Sequence, residues 1–268
     1  MDLAAASGGE LTLDKVALSV DEAVALCSTW TTTSQPAAIP PSDRPQRARK
    51  PLLSVNALRF GYDKSAPILR GVDVSLESNA IVALLGRNGS GKATLARLLV
   101  GINAPPADSI FLEGRDLAKL GAREIASHIG YVFQNPDHQF VTDRVDAEIA
   151  YGLEVRDYAQ GEITRRVNEV LEIVDRERYR HRSPFSLSLG ERRRLSVATM
   201  LVLEPRLLVL DEPTIGQDHE RAQHLMRLMD RLRERYATTI LMITHDVRLL
   251  AEWVALSISA LSARPRSR

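Results

Sequence analysis

Hydrophobic residues in this chain fall mostly in short continuous runs separated by helical patterns. Leu53–Phe60 and Val72–Leu76 read as strands of an antiparallel edge sheet, and Ile81–Leu85 as a fully apolar strand of the buried kind. Gly130–Phe133, Leu207–Leu210 and Thr239–Ile243 repeat that buried pattern, with helical periodicity over Lys92–Val100 and His219–Arg235 between them. Strands alternating with helices in this way predict an α/β fold, with a mostly parallel sheet covered by helices on both faces. The stretch from about 120 to 203 is richer in helix and charge, and reads as a helical subdomain inserted into the sheet domain. Upstream, the segment 31–51 repeats Pro and Ser without apolar periodicity, as a linker does. Before it, Val20–Cys27 reads as a short helix capped by Ser19, with Glu22 three residues on. The expected division is residues 1–51 as an N-terminal segment and linker, and 52–268 as the main domain.

Composition narrows this picture. The 268 residues are 44% apolar and 26% charged, enough to bury a sizeable core. Lys plus Arg number 35 against 34 Asp plus Glu, so a general affinity for nucleic-acid phosphates is not expected. A single cysteine, Cys27, precludes an internal disulfide and fits a reducing compartment such as the cytoplasm. No basic segment followed by an apolar stretch marks a secretory signal near the N-terminus. Spanning a bilayer by helix takes about 20 apolar residues, whereas runs such as Ala80–Leu85 are strand-sized, so membrane work calls for a separate subunit.

Candidate chemistry begins where the strand ending at Leu85 gives way to Gly86, Arg87, Asn88, Gly89, Ser90, Gly91, Lys92, Ala93 and Thr94. This is the phosphate-binding-loop pattern in all but one position. Glycines let backbone N–H groups wrap phosphate oxygens, the following helix aims its N-terminus at them, and Lys92 adds a full positive charge. The departure is Ala93, where a Ser or Thr hydroxyl would bind Mg²⁺. Thr94 leaves the helix about 100° further round and does not replace it. A second apolar run, Leu207–Leu210, ends in Asp211 and Glu212, two carboxylates at the strand edge where α/β sheets bind ligands. Asp211 suits a metal and its waters, and Glu212 suits polarising an attacking water.

With the run FSLSLGERRRLSVATMLVLEPRLLVLDEP from Phe185 to Pro213, the chain resembles the ABC ATPases, P-loop NTPases whose signature helix precedes the acidic strand. The resemblance extends from Leu52 to about Trp253. It implies that ATP and Mg²⁺ are the cofactors, and that Ser188 and Gly190 contact the nucleotide bound by a second cassette. Leu189 and Glu191 depart from the signature. It further implies that Tyr62 stacks on adenine, that Gln134 senses the metal and γ-phosphate, that Asp218 is the acid of the loop between the two halves, and that His245 is the switch histidine. Asp211 and Gln134 would then hold the metal, with Glu212 and His245 catalytic.

The segment Val132–Gly152 is similar to that of energy-coupling-factor importers of vitamins and metal ions. This narrower likeness implies an ATPase on the cytoplasmic face of the membrane, paired with a second cassette and docked on membrane-embedded transport subunits near 134–152. Leu11–Pro51 looks like the tail of a preceding cassette plus its connector. Two alternatives stay open: a degenerate cassette that binds nucleotide and regulates its partner, and a soluble ABC ATPase acting on ribosomes or DNA.

Overall fold

The computed structural model describes residues 51–63, 65–86, 89–174, 177–217 and 219–244, together with the backbone of Ile258–Ala260. The expected helix over Val20–Cys27 and nearly all of the 31–51 linker lie outside these residues.

An antiparallel sheet comes first, from β1 (Leu53–Phe60) and β2 (Leu69–Leu76), joined by β4 (Ile110–Leu112) and β5 (Arg115–Asp116) in the order β2-β1-β4-β5. Strand β2 starts three residues earlier than its pattern suggested. The β4–β5 hairpin was not apparent in the sequence. It closes on Glu113 and Gly114, whose φ of 50° and 82° put both turn residues in the left-handed region that matches the twist of a two-residue hairpin.

The second sheet is parallel throughout: β3 (Ile81–Leu85), β6 (Ile129–Val132), β7 (Leu207–Asp211), β8 (Thr239–Thr244) and β9 (Ile258–Ala260), in the order β6-β7-β8-β3-β9. Its strands read as unbroken apolar runs because both faces are covered. On β7, Leu207 and Val209 pack into the core shared with the antiparallel sheet, while Leu208 and Leu210 face the opposite core. Helix α1 (Lys92–Leu99) belongs to the first core through Leu95, Ala96, Leu98 and Leu99.

The other core is filled by α3 (Val145–Glu154), α4 (Gln160–Ile173), α5 (Leu189–Leu201) and α6 (His219–Tyr236); the short α2 (Ala122–His128) precedes β6. Helix α6 shows why it packs as it does. Ala222, Leu225, Met226 and Met229 recur at three- and four-residue spacing and are all buried, leaving the Arg- and Glu-rich face to solvent. Helix α5 differs in burying a charge, Arg193, within its apolar face. Within the 120–203 stretch, β6 returns to the parallel sheet beside β7 between α2 and α3.

Candidate functional site

The register of the parallel sheet gathers the candidate residues at one edge. Strand β8 lies between β3 and β7 and pairs Leu85 with Thr244 and Asp211 with Ile243, so the loop after Leu85 and the acids ending β7 emerge at the same edge, one strand apart. Such carboxyl-terminal edges are where open α/β sheets hold ligands.

Gly91 has a φ of 96°, so the backbone there favours glycine, and a Cβ would lie 2.7 Å from Leu69 Cδ2, which would have to shift. The chain then enters α1 with Lys92, only 7% exposed, whose Nζ donates to the Gly86 carbonyl at 2.6 Å. Burial pulls the Lys92 ammonium below its usual range, opposed by the nearby charges of Glu212 and Asp211. The lysine thus closes the loop on itself and faces both acids. Arg87 and Asn88 lie outside the described residues.

Ala93 is exposed and Thr94 buried. The position where a hydroxyl would serve a metal therefore offers only a methyl group, and Thr94 points elsewhere, as helix geometry predicts.

Asp211 accepts a hydrogen bond from the Tyr131 hydroxyl of β6 at 2.8 Å. Burial pushes the Asp211 carboxyl above the ordinary range; the Tyr131 bond draws it back down and Glu212 raises it further. The same burial, with the adjacent aspartate charge, raises the Tyr131 phenol well above its usual value. Tyr131 escaped the sequence reading because it acts across 80 residues, and its only local signal is its place two before Phe133 along the strand. Glu212 follows with a φ of 48° and is 9% exposed, its backbone N–H donating to the Ile243 carbonyl at 2.9 Å. The carboxylate thus stands on a fixed, strained backbone at the strand tip.

The other candidates sit apart from this cluster. Tyr62 is 61% exposed, edge-on to Phe60 with ring centroids 5.5 Å apart, and its hydroxyl accepts from Asn103 Nδ2 at 3.1 Å. Hydrogen bonding from Arg97, then from Asn103, lowers its phenol pKa. Gln134 is exposed, just past β6, and its carbonyl accepts from Arg193 at 2.6 Å. Ser188 caps α5, where its N–H and hydroxyl both donate to Glu191 Oε2, at 2.9 and 2.8 Å. Leu189 is 40% exposed beside Gly216, and Gly190 borders a small cavity lined also by Arg193, Arg194, Gln217 and Arg221. Asp218 and His245 lie outside the described residues. Arg193 is a buried charge that the sequence did not reveal; its signal is a shared face with Val197 and Leu201, at four and eight residues on, inside a run of arginines.

Residues 69–215 match the family model described as ABC transporter. A protein of Lactiplantibacillus plantarum provisionally named ABC transporter ATP-binding protein is 36% identical over 237 residues, covering 88% of this chain and 41% of that protein. A similarly named Photobacterium profundum protein is 40% identical over 207 residues, 77% of this chain and 37% of its own length. The chain thus spans about two-fifths of the length of these curated relatives. Among solved structures, CbiO1 of Clostridium perfringens, described as part of the ABC transporter complex CbiONQ, superposes with a TM-score of 0.74 at 28% identity, over 80% of this chain and 86% of that one.

Proposed function

Because the chain belongs to the ABC transporter family and carries its ATPase domain, we propose that it energises uptake of a small nutrient, a vitamin or metal ion, through an importer of the energy-coupling-factor type. The observation that carries this reading is the meeting of Lys92, Asp211 and Glu212 at the carboxyl edge of the parallel sheet, behind a glycine loop closed on Gly86. The likeness to CbiO1, itself described as part of a transporter complex, supports the importer class.

In this reading the loop from Gly86 to Thr94 wraps the phosphates and Lys92 moves from its Gly86 carbonyl to the β and γ oxygens. Tyr62, with its exposed ring, stacks on the base. A second cassette supplies the opposite face of the nucleotide, and this chain lends Ser188 and Gly190 to the partner's nucleotide in return. Asp218 joins the two halves, His245 donates to the γ-phosphate, and membrane-embedded subunits dock near Gln134 on the cytoplasmic face. No described helix is long and apolar enough to cross a membrane.

Mg²⁺ fits the residues in part. It binds through one or two carboxylates plus substrate phosphates and retained waters, which the half-buried Asp211 at the end of β7 suits, with Gln134 as the second ligand in this reading. Ala93 supplies no oxygen. When bound, the ion would neutralise charge developing on the phosphoryl oxygens.

Two measurements test the site. Lys92→Ala should weaken binding of a fluorescent ATP analogue by about 1.5–3 kcal/mol, roughly 10- to 150-fold, the worth of a charge-assisted contact. Equal affinity in the two proteins would sink the phosphate-loop assignment. Tyr131→Phe removes the hydrogen bond that favours the Asp211 carboxylate, so the aspartate should protonate at a higher pH than in the unsubstituted protein. Metal needs the ionised form, and the acid limb of Mg²⁺-dependent nucleotide binding should therefore move to higher pH. An unmoved limb would remove Asp211 from the metal site.

A second reading has its own support. Ala93 lacks the metal-binding hydroxyl, and Glu191 already holds both donors of Ser188, as expected of a cassette that binds nucleotide to regulate its partner without turning it over. Steady-state phosphate release by the assembled complex separates the two.

A further inference from the structure

Arg193 is a guanidinium only 1% exposed, the one charged side chain among the buried residues of α5. Burial lowers its pKa, partly offset by the charge of Asp211. A buried cation left without partners costs several kcal/mol, so its bonding geometry is a constraint on the fold around it. Its Nη1 donates to two successive backbone carbonyls, Gln134 at 2.6 Å and Phe133 at 3.1 Å. Those carbonyls follow directly on β6, whose last residue, Val132, is fixed in the sheet opposite Leu210. Two further links run in parallel. The Gln139 amide donates to the Ser196 carbonyl at 2.7 Å and to Thr199 Oγ1 at 2.5 Å, and Arg192 pairs with Asp137 at 3.2 Å. Segment 133–139 is therefore pinned along one face of α5, the helix whose first turn presents Ser188 and Gly190.

We propose that Arg193 is a positioning residue that makes the Gln134 segment and the start of α5 move as one body, so that nucleotide bound at the Lys92 loop alters the edge offered to the second cassette. The proposal rests on the ATP-binding reading above. Among the described contacts, Arg193 alone of these three links grips the Gln134 backbone itself; the other two act three and five residues further along. Both bonds leave the one nitrogen Nη1, whose direction is fixed by the rigid planar guanidinium, whereas a lysine ammonium would sit there only as a point charge on a flexible stem. In a pair of cassettes such a strut would let one nucleotide site report its state to the other.

The test uses the full-length protein assembled with its partners, and compares it with Arg193→Lys and Arg193→Gln. ATP affinity, thermal melting, and hydrogen exchange of segments 133–139 and 188–195 are measured with and without ATP. In the unsubstituted protein, ATP should slow exchange about tenfold in both segments. In both variants affinity should hold within about twofold and 133–139 should still respond, while the response of 188–195 falls below about twofold. An undiminished response of 188–195 in the variants overturns the proposal, as does loss of cooperative melting in both, which would make Arg193 a purely structural residue. Failure of the unsubstituted protein to bind ATP sinks the function reading, and the proposal with it.

Discussion

Replacing Glu212 with glutamine should cut ATP turnover by about 10²- to 10⁴-fold while leaving nucleotide affinity nearly unchanged, the range expected for loss of a positioned general base. The side chains are nearly equal in size, so packing is preserved. Only the ability to accept a proton is lost. The structure favours a clean outcome, because Glu212 is 9% exposed and its backbone is tied to Ile243 in the neighbouring strand. Lys92 and Asp211, the proposed phosphate and metal residues, are left unaltered. Phosphate release and fluorescent-nucleotide binding, measured on the same preparations, decide the matter. If affinity falls as far as turnover does, Glu212 belongs to binding and not to the chemical step.

The opposite change is expected at Ala93. Its side chain is exposed at the first turn of α1, next to Lys92, so a serine there meets no packing conflict and restores the hydroxyl that the phosphate-loop pattern calls for. Completing the metal shell is worth several kcal/mol of transition-state charge at most, and a single recovered ligand should raise turnover about 10- to 100-fold. Mg²⁺ titrations of phosphate release compare Ala93→Ser with the unsubstituted protein in the assembled complex. No gain from serine would mean that Asp211, Gln134 and water already hold the ion adequately. A gain confined to metal affinity, with kcat unchanged, would place the deficit in occupancy instead of chemistry.

Local chemistry made much of this site legible. The phosphate loop is contiguous, two of its glycines, Gly89 and Gly91, are demanded by positive φ, and the strands beside it are buried on both faces and so carry their signal in every residue. Short or distant relations were harder to see. The β4–β5 hairpin turns on Glu-Gly, a weaker cue than Asn-Gly or Asp-Gly, and its strands are only three and two residues long. Tyr131 becomes part of the site only when β6 is laid beside β7, which brings its hydroxyl to Asp211. Arg193 sits in the run Glu191-Arg192-Arg193-Arg194, where charge alone suggests solvent; packing of α5 turns one of three arginines inward. The departure of Glu191 from the signature was visible, but not that its carboxylate would hold both donors of Ser188.

The sheet order has a bearing on how the chain is made. Strand β3 is complete by residue 85, yet both its neighbours, β8 and β9, come from beyond residue 238. While residues 86–238 are being made, therefore, the five-residue run Ile-Val-Ala-Leu-Leu has two open edges, and both hydrogen-bonding flanks are free to pair with another chain. The antiparallel sheet, whose last strand ends at Asp116, is available to shield one face early, but it cannot occupy those edges. A ribosome that stalls between these points holds a nascent polypeptide with these edges exposed, and a holdase chaperone that masks residues 81–85 would protect its yield.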